Sequence, residues 1–258
     1  MPAHATPGRP SGCYVISLRP VGGHGAVRRA AAALGARTLA LSPWRIAQLD
    51  DDKARSTLRQ ALAAPRVVFT SPAAVASAAA LQALRPRAGQ AWVAVGAGTA
   101  LALRRAGAGD IESPARMDSE GLLALPSLRD VQGVDVGLVT APGGRGVIAA
   151  TLASRGARVL RANVYERVPV APSPRALAAL RALDAPAWLL LSSGEALEHV
   201  LATLPDDALA RLRDASVVAA SERLADLARE RGLRVAAVAA SARPAAMLAA
   251  CSGAASKP

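Results

Sequence analysis

Cysteine, histidine, lysine and aromatic residues are all scarce in this 258-residue chain, and each scarcity closes off a class of function. Cys13 and Cys251 are too few for a disulfide framework and have no metal-ligand spacing. His4, His24 and His199 are scattered along the chain, so no metal centre is expected. Aromatic residues make up 2% of the chain, too few to stack successive bases. The net charge of +12 comes almost wholly from arginine, spread along the chain without a basic tail. Nucleic acid is therefore not the expected partner; a polyanionic small molecule fits the charge better. No run of about 18 apolar residues escapes interruption by Arg, Pro or Gly, so no membrane span is expected. The first twelve residues lack the apolar stretch of a secretory signal, and a monomeric cytoplasmic protein is the expectation.

What the chain has in abundance is alanine, 64 residues, within an apolar content of 52%. A core of Leu, Val and Ala with closely packed helices follows, and wholesale disorder is excluded. Short apolar runs alternate with Ala-rich helical stretches. Val15-Ile16-Ser17-Leu18 precedes a helix over about 25–34, and Val67-Val68-Phe69 leads into Thr70-Ser71-Pro72 and another helix. Trp92-Val93-Ala94-Val95 leads into Gly96-Ala97-Gly98-Thr99 and a third. This alternation predicts an α/β fold with open parallel sheets flanked by helices.

The second half repeats the first. Residues 34–39 match 155–160 at an offset of 121, which sets Trp44 opposite Tyr165. Phe69-Thr70-Ser71 matches Leu191-Ser192-Ser193 at 122, and Val93-Ala94-Val95-Gly96 matches Val217-Val218-Ala219-Ala220 at 124. Two similar domains are expected, with a ligand cleft between them.

No Ser–His–acid triad or acidic dyad can be assembled. Gly143-Gly144-Arg145-Gly146 resembles a phosphate loop only in being glycine-rich. Small polar residues recur instead at strand-to-helix turns: Thr70-Ser71, Gly96 to Thr99, Ser192-Ser193-Gly194 and Ser221-Glu222. Such residues cap helices everywhere, yet the N–H groups they leave exposed also receive anions. Arg19 and Arg145 follow the first strand of each repeat, which points them to the strand-end face. Tyr165 follows the strand at 158–160; packing is the plainer reading of a lone tyrosine there, but a phenol is also a fair neutral acid for a leaving hydroxyl.

In this order and spacing the motifs resemble the uroporphyrinogen-III synthase family over about residues 13–250. Ser17-Leu18-Arg19-Pro20, Phe69-Thr70-Ser71-Pro72, Val95-Gly96-Ala97-Gly98-Thr99, Val164-Tyr165-Glu166-Arg167 and Ser192-Ser193-Gly194 carry the resemblance. It implies two similar α/β domains joined by a two-stranded ladder. Domain 1 is then discontinuous, 1–42 plus 170–258, domain 2 spans 45–166, and the crossings lie at 43–44 and 167–169. It also implies a cofactor-free hydro-lyase that cyclises the linear tetrapyrrole hydroxymethylbilane, with loss of water and inversion of the last ring. Tyr165 is the implied catalytic residue. Arg19, Thr70, Ser71, Gly96, Thr99, Arg145, Ser192, Ser193, Gly194 and Ser221 are the implied substrate contacts. The final turn departs from the family's Gly-x-Thr pattern, reading Ala219-Ala220-Ser221-Glu222, so only Ser221 can supply a hydroxyl there. The implied partners are the polycarboxylate substrate and a transient contact with hydroxymethylbilane synthase. A non-catalytic two-domain binder of an anionic small molecule is the alternative.

Overall fold

A computed structural model describes residues 12–115, 119–143 and 146–255. Strand β1 (Tyr14–Ser17) leads through helix α1 (Gly25–Ala32) to β2 (Arg37–Ala40) and β3 (Trp44–Gln48). Then come α2 (Asp52–Ala63), β4 (Arg66–Phe69), α3 (Pro72–Leu81), β5 (Ala91–Ala94), α4 (Ala97–Arg105) and β6 (Ile111–Glu112). Two short helices, α5 (Ser119–Leu123) and α6 (Pro126–Arg129), precede β7 (Asp135–Thr140), α7 (Val147–Ser154), β8 (Arg158–Asn163) and β9 (Tyr165–Pro169). The chain continues through α8 (Pro174–Arg181), β10 (Ala187–Leu191), α9 (Gly194–Thr203) and α10 (Asp206–Arg213). Last are β11 (Ser216–Ala219), α11 (Glu222–Glu230), β12 (Val235–Val238) and α12 (Pro244–Ala255).

The strands form two parallel five-stranded sheets, ordered β12-β11-β10-β1-β2 and β6-β5-β4-β7-β8. Setting β1 against β7 and β10 against β4 makes the two orders identical. The repeat is thus real in three dimensions, but each sheet draws strands from both halves of the chain. The first half supplies β1 and β2 to one sheet and β4 to β6 to the other. Two compact units result: Met1–Arg45 with Val168–Pro258, and Ile46–Arg167. The chain passes between units within β3 and β9, which pair as a separate two-stranded ladder. Leu49 N–H donates to the Val164 carbonyl and Val170 N–H to that of Pro43, an antiparallel sense.

Strand pairing corrects one offset in the repeat. Val68 lies beside Val93 in one sheet, and its counterpart Leu190 lies beside Val218 in the other. Val93 therefore matches Val218, an offset of 125 rather than 124. The helix caps agree, because Gly96 caps α4 and Ser221 caps α11. Runs of small apolar residues on both strands let the sequence alignment slip by one.

Both faces of the unit 2 sheet are covered, as parallel strands require. Val67, Phe69, Trp92 and Val139 face one cluster with α2, α3 and α4; Val68, Val93, Val136 and Leu138 face another with α5, α6 and α7. The period-2 alternation of strands assigns each residue its side. Phe69 and Trp92 meet at 5.2 Å between ring centroids. In unit 1, Val15, Val27, Val218, Met247 and Leu248 fill the equivalent cluster.

His24, passed over in sequence as one of three scattered histidines, is 3% exposed and ties two strand ends of unit 1 together. Its Nδ1 lies 2.9 Å from Ser17 Oγ and its Nε2 2.8 Å from Ser42 Oγ. Burial first, then the nearby Arg28 and Arg19 charges, push the imidazole pKa below its usual 6.5. The unfolded chain therefore binds this proton more tightly, and the stability His24 contributes is present above pH 6.5 and lost as pH falls toward the folded value. In melts between pH 5 and 7.5, His24→Gln is expected to flatten the acid limb; a limb identical to the parent's would exclude His24 as its source.

Candidate active site

In an open α/β sheet, ligands collect where adjacent strands send their following helices to opposite faces. Unit 2 meets that condition between β4 and β7. Helix α3, which follows β4, packs in the cluster of Phe69, whereas α7, which follows β7, packs in the cluster of Leu138. A pocket of about 190 Å³ opens there, and Thr70, Ser71, Thr140, Arg161, Tyr165 and Arg167 contribute its polar lining.

Thr70 Oγ1 donates to Thr140 Oγ1 at 2.8 Å, linking the last turns of β4 and β7. Ser71 is the N-cap of α3: its Oγ accepts from Ala74 N–H at 3.0 Å, and Pro72 follows at the first helical position. The same Oγ stands 3.1 Å from the Tyr165 hydroxyl. Tyr165 follows β8, as expected, and opens β9, and it is 3% exposed in the core around Phe69 and Trp92. Packing and chemistry are thus compatible at this residue, since the buried ring delivers its hydroxyl to a pocket wall.

Two pocket arginines escaped the sequence reading. Arg161 Nη2 donates to the Ala141 carbonyl at 2.8 Å and Nε to Asn163 Oδ1 at 3.0 Å, which holds the guanidinium beside the β7 turn. Arg167 follows Tyr165 by two residues on β9, so period-2 alternation sets it on the same side of the strand. That alternation was the available signal. Opposite them, the first turn of α7 borders the pocket. Its N-cap, Gly146, takes a left-handed φ of 65° and supplies no capping side chain. Among the described residues no side chain caps the first N–H groups of α7, and a helix start of this kind favours an anion.

The remaining expected site residues are distributed differently. Arg145 lies outside the described residues. Gly96 caps α4, but Thr99 is 2% exposed and absent from the pocket lining. The corrected register sets Thr99 opposite Leu224, itself buried, so this is an inward-facing helical position. What the α4 turn exposes is Ala97 and Gly98. Arg19, Ser192, Ser193, Gly194 and Ser221 belong to unit 1. Arg19 and Ser192 follow β1 and β10, the counterparts of β7 and β4. Arg19 donates to the Ala242 carbonyl at 3.2 Å. Ser193 caps α9 by accepting from Ala196 N–H, with Gly194 opening that helix, whereas the Ser221 hydroxyl makes no cap bond.

Among the described residues, no group of three or more His, Cys, Asp or Glu side chains could hold a metal ion. No described helix is long and apolar enough to cross a membrane.

A family model described as uroporphyrinogen-III synthase HemD matches residues 26–249. The uroporphyrinogen-III synthase of Salmonella typhimurium is 34% identical over 146 residues, covering 55% of this chain and 58% of that protein. The Escherichia coli enzyme of the same name is 33% identical over 143 residues, with the same coverages. These alignments span little more than half the length of the curated relatives. Among solved structures, a mutant uroporphyrinogen III synthase from Thermus thermophilus aligns with 94% of this chain and 98% of its own, at a TM-score of 0.58 and 21% identity. Uroporphyrinogen-III synthetase from Helicobacter pylori aligns with 92% and 96%, at a TM-score of 0.57 and 13% identity. At such identities the likeness is one of fold.

Proposed function

The chain belongs to the uroporphyrinogen-III synthase family, and from that premise we propose that it cyclises hydroxymethylbilane to uroporphyrinogen III as a hydro-lyase. The observation that carries the proposal is the unit 2 pocket, where a phenol, two arginines and an uncapped helix N-terminus line one opening. The substrate carries acetate and propionate carboxylates, for which guanidinium groups and helix N-termini are apt receptors. Its reacting end carries a hydroxyl, and the Tyr165 phenol is the group in the pocket that suits its departure. The C–O bond breaks with its electron pair going to oxygen, the phenol proton completes water, and the pyrrole nitrogen stabilises the cation left behind. The last ring attacks that cation through its substituted carbon; the bond from that carbon to its original methylene bridge then breaks and re-forms at the ring's free α-carbon, and the proton lost from that carbon restores the phenol. Closure is intrinsically easy, so the protein's larger task is to hold the chain in the geometry for inversion.

In this reading Arg161, Arg167 and the α7 N-terminus receive carboxylates, and so does Arg145. The turns at Gly96 to Thr99, at Ser192 to Gly194 and at Ser221, with Arg19, take further ones. No cofactor takes part. Cys13 and Cys251 are buried thiols rather than disulfide partners, which suits a reducing compartment. The same reading takes the protein to be a cytoplasmic monomer that receives its substrate from hydroxymethylbilane synthase.

The test is incubation with enzymatically generated hydroxymethylbilane and separation of the two product isomers. Spontaneous closure gives type I, so type III reports the activity directly. Only type I from folded protein would reduce the chain to a binder of the tetrapyrrole. A second expectation concerns specificity. Arg167→Gln removes one charge-assisted contact, worth about 1.5–3 kcal/mol, and is expected to raise KM about tenfold while leaving kcat close to the parent. A fall in kcat at constant KM would move Arg167 from substrate binding to the chemical step.

A further inference from the structure

We infer that Ser71 is a positioning residue that aims the Tyr165 proton into the pocket, an inference that rests on Tyr165 being the proton donor. Ser71 Oγ has two partners of different kinds. Ala74 N–H can only donate, so toward the helix Ser71 acts as an acceptor, at 3.0 Å. The other partner is the phenol oxygen at 3.1 Å, where either atom can donate. A serine hydroxyl has one proton, and none of it is spent on the cap.

Two proton arrangements follow. If Tyr165 donates to Ser71, the phenol proton points at the wall of the pocket and away from substrate, and the serine proton is left over. If Ser71 donates to Tyr165, every proton has a direction: serine to phenol oxygen, phenol to the substrate hydroxyl. A substrate hydroxyl in the pocket supplies the acceptor that selects the second arrangement. The same donation then stabilises negative charge on the phenol oxygen as its proton leaves, as a preorganised donor does at a developing anion. The cap bond holds Ser71 Oγ fixed while this happens, so the donor is carried by the rigid start of α3 rather than by a free side chain.

The repeat supplies an internal contrast. Ser193 caps α9 just as Ser71 caps α3, with Ala196 N–H donating at 3.3 Å. The residue that matches Tyr165 in the repeat is Trp44, which opens β3 as Tyr165 opens β9 and has no hydroxyl. Capping alone accounts for a serine at this turn in unit 1. In unit 2 the same serine has a phenol within hydrogen-bonding distance.

The experiment is a cycle of variants assayed for type III formation, with a melt on each sample. Ser71→Gly retains most of the cap but removes the donor, and is expected to lower kcat about tenfold with KM unchanged. That is less than the ~10²–10³ lost when a donor to the reacting oxygen itself is removed. Ser71→Thr keeps both functions and is expected to restore the rate. In a Tyr165→Phe background, Ser71→Gly is expected to cost nothing further, because the group it acts through is gone. A full tenfold loss in that background, or a loss in Ser71→Thr equal to that in Ser71→Gly, would overturn the inference and return Ser71 to a helix-capping or substrate-contact role. An unchanged rate in Tyr165→Phe alone would instead overturn the premise about Tyr165, and is read without reference to Ser71. Should Ser71→Gly fail to fold, Ser71→Ala enters the same cycle.

Discussion

Gly137→Ala is expected to unfold unit 2 well below the parent's melting temperature. Gly137 sits in the middle of β7, paired with Leu160 of β8 and Val67 of β4. A Cβ built there would lie 2.0 Å from the Ala61 carbonyl oxygen and 2.7 Å from its carbon. Those are backbone atoms of α2, so no side-chain rotation relieves the clash and the helix itself must lift. Lifting it strips contacts from Leu58, Ala61 and Leu62, which are buried against the sheet. Overpacking a core costs about 1–3 kcal/mol where side chains can yield. A helix backbone yields less, so the expected loss is at or above the top of that range, on the order of 10 °C in a unit of this size. The repeat explains why only one unit carries the constraint: the counterpart of Gly137 is Ile16, a fully buried side chain with room for its branches. Gly109→Ala is the control, because a Cβ there meets nothing within 4 Å. Calorimetry on the two variants decides the matter; a Gly137→Ala melt matching that of Gly109→Ala would mean that α2 does not rest on β7 this closely.

Much of the architecture is legible from residue patterns, for reasons that particular residues make clear. Val67-Val68-Phe69 and Leu189-Leu190-Leu191 are continuous apolar runs because both faces of their sheets are buried, and such runs mark parallel strands. The polar residues that end them, Thr70-Ser71 and Ser192-Ser193, mark the turns into helices. The exchange of strands between the halves is less legible, since a sequence orders strands along the chain and not across a sheet. Gly137 carried a readable signal, a lone glycine inside a strand, which implies a bulge or the close approach of another backbone.

Other features needed the third dimension. His24 meets Ser17 and Ser42, which stand 7 and 18 residues away, so its clamp has no local pattern. Arg161 reaches the pocket only because β8 pairs with β7 and β7 with β4, whereas Arg167 shares β9 with Tyr165 and stands beside it through the alternation of that strand. Thr99 is a contrasting case. A hydroxyl next to a glycine turn suggests a ligand contact, but the third position of α4 faces the core, as Leu224 does in α11. For Thr99→Val, burial therefore predicts a nearly unchanged KM, whereas a direct contact with substrate predicts a rise.

Tyr165→Phe is expected to lower the rate of type III formation about a hundredfold while the protein stays folded. General-acid assistance is typically worth about 10²–10⁴-fold. The lower end applies here because the cation left by the departing hydroxyl is stabilised by a pyrrole nitrogen, so the leaving group needs only modest help. Phenylalanine preserves the ring that fills the core beside Phe69 and Trp92. What disappears is the hydroxyl and its contact with Ser71, a hydrogen bond worth about 0.5–1.5 kcal/mol to stability. Ser71 keeps its bond from Ala74 N–H, so the start of α3 is not released. A melt displaced by a few degrees alongside a hundredfold loss of kcat would therefore separate chemistry from packing. The product ratio adds a second reading. Spontaneous closure gives type I, so a variant that binds substrate but protonates it slowly should release more type I as its type III rate falls. A variant that keeps the parent's rate and product ratio would leave Tyr165 as a core residue whose hydroxyl serves only to hold Ser71.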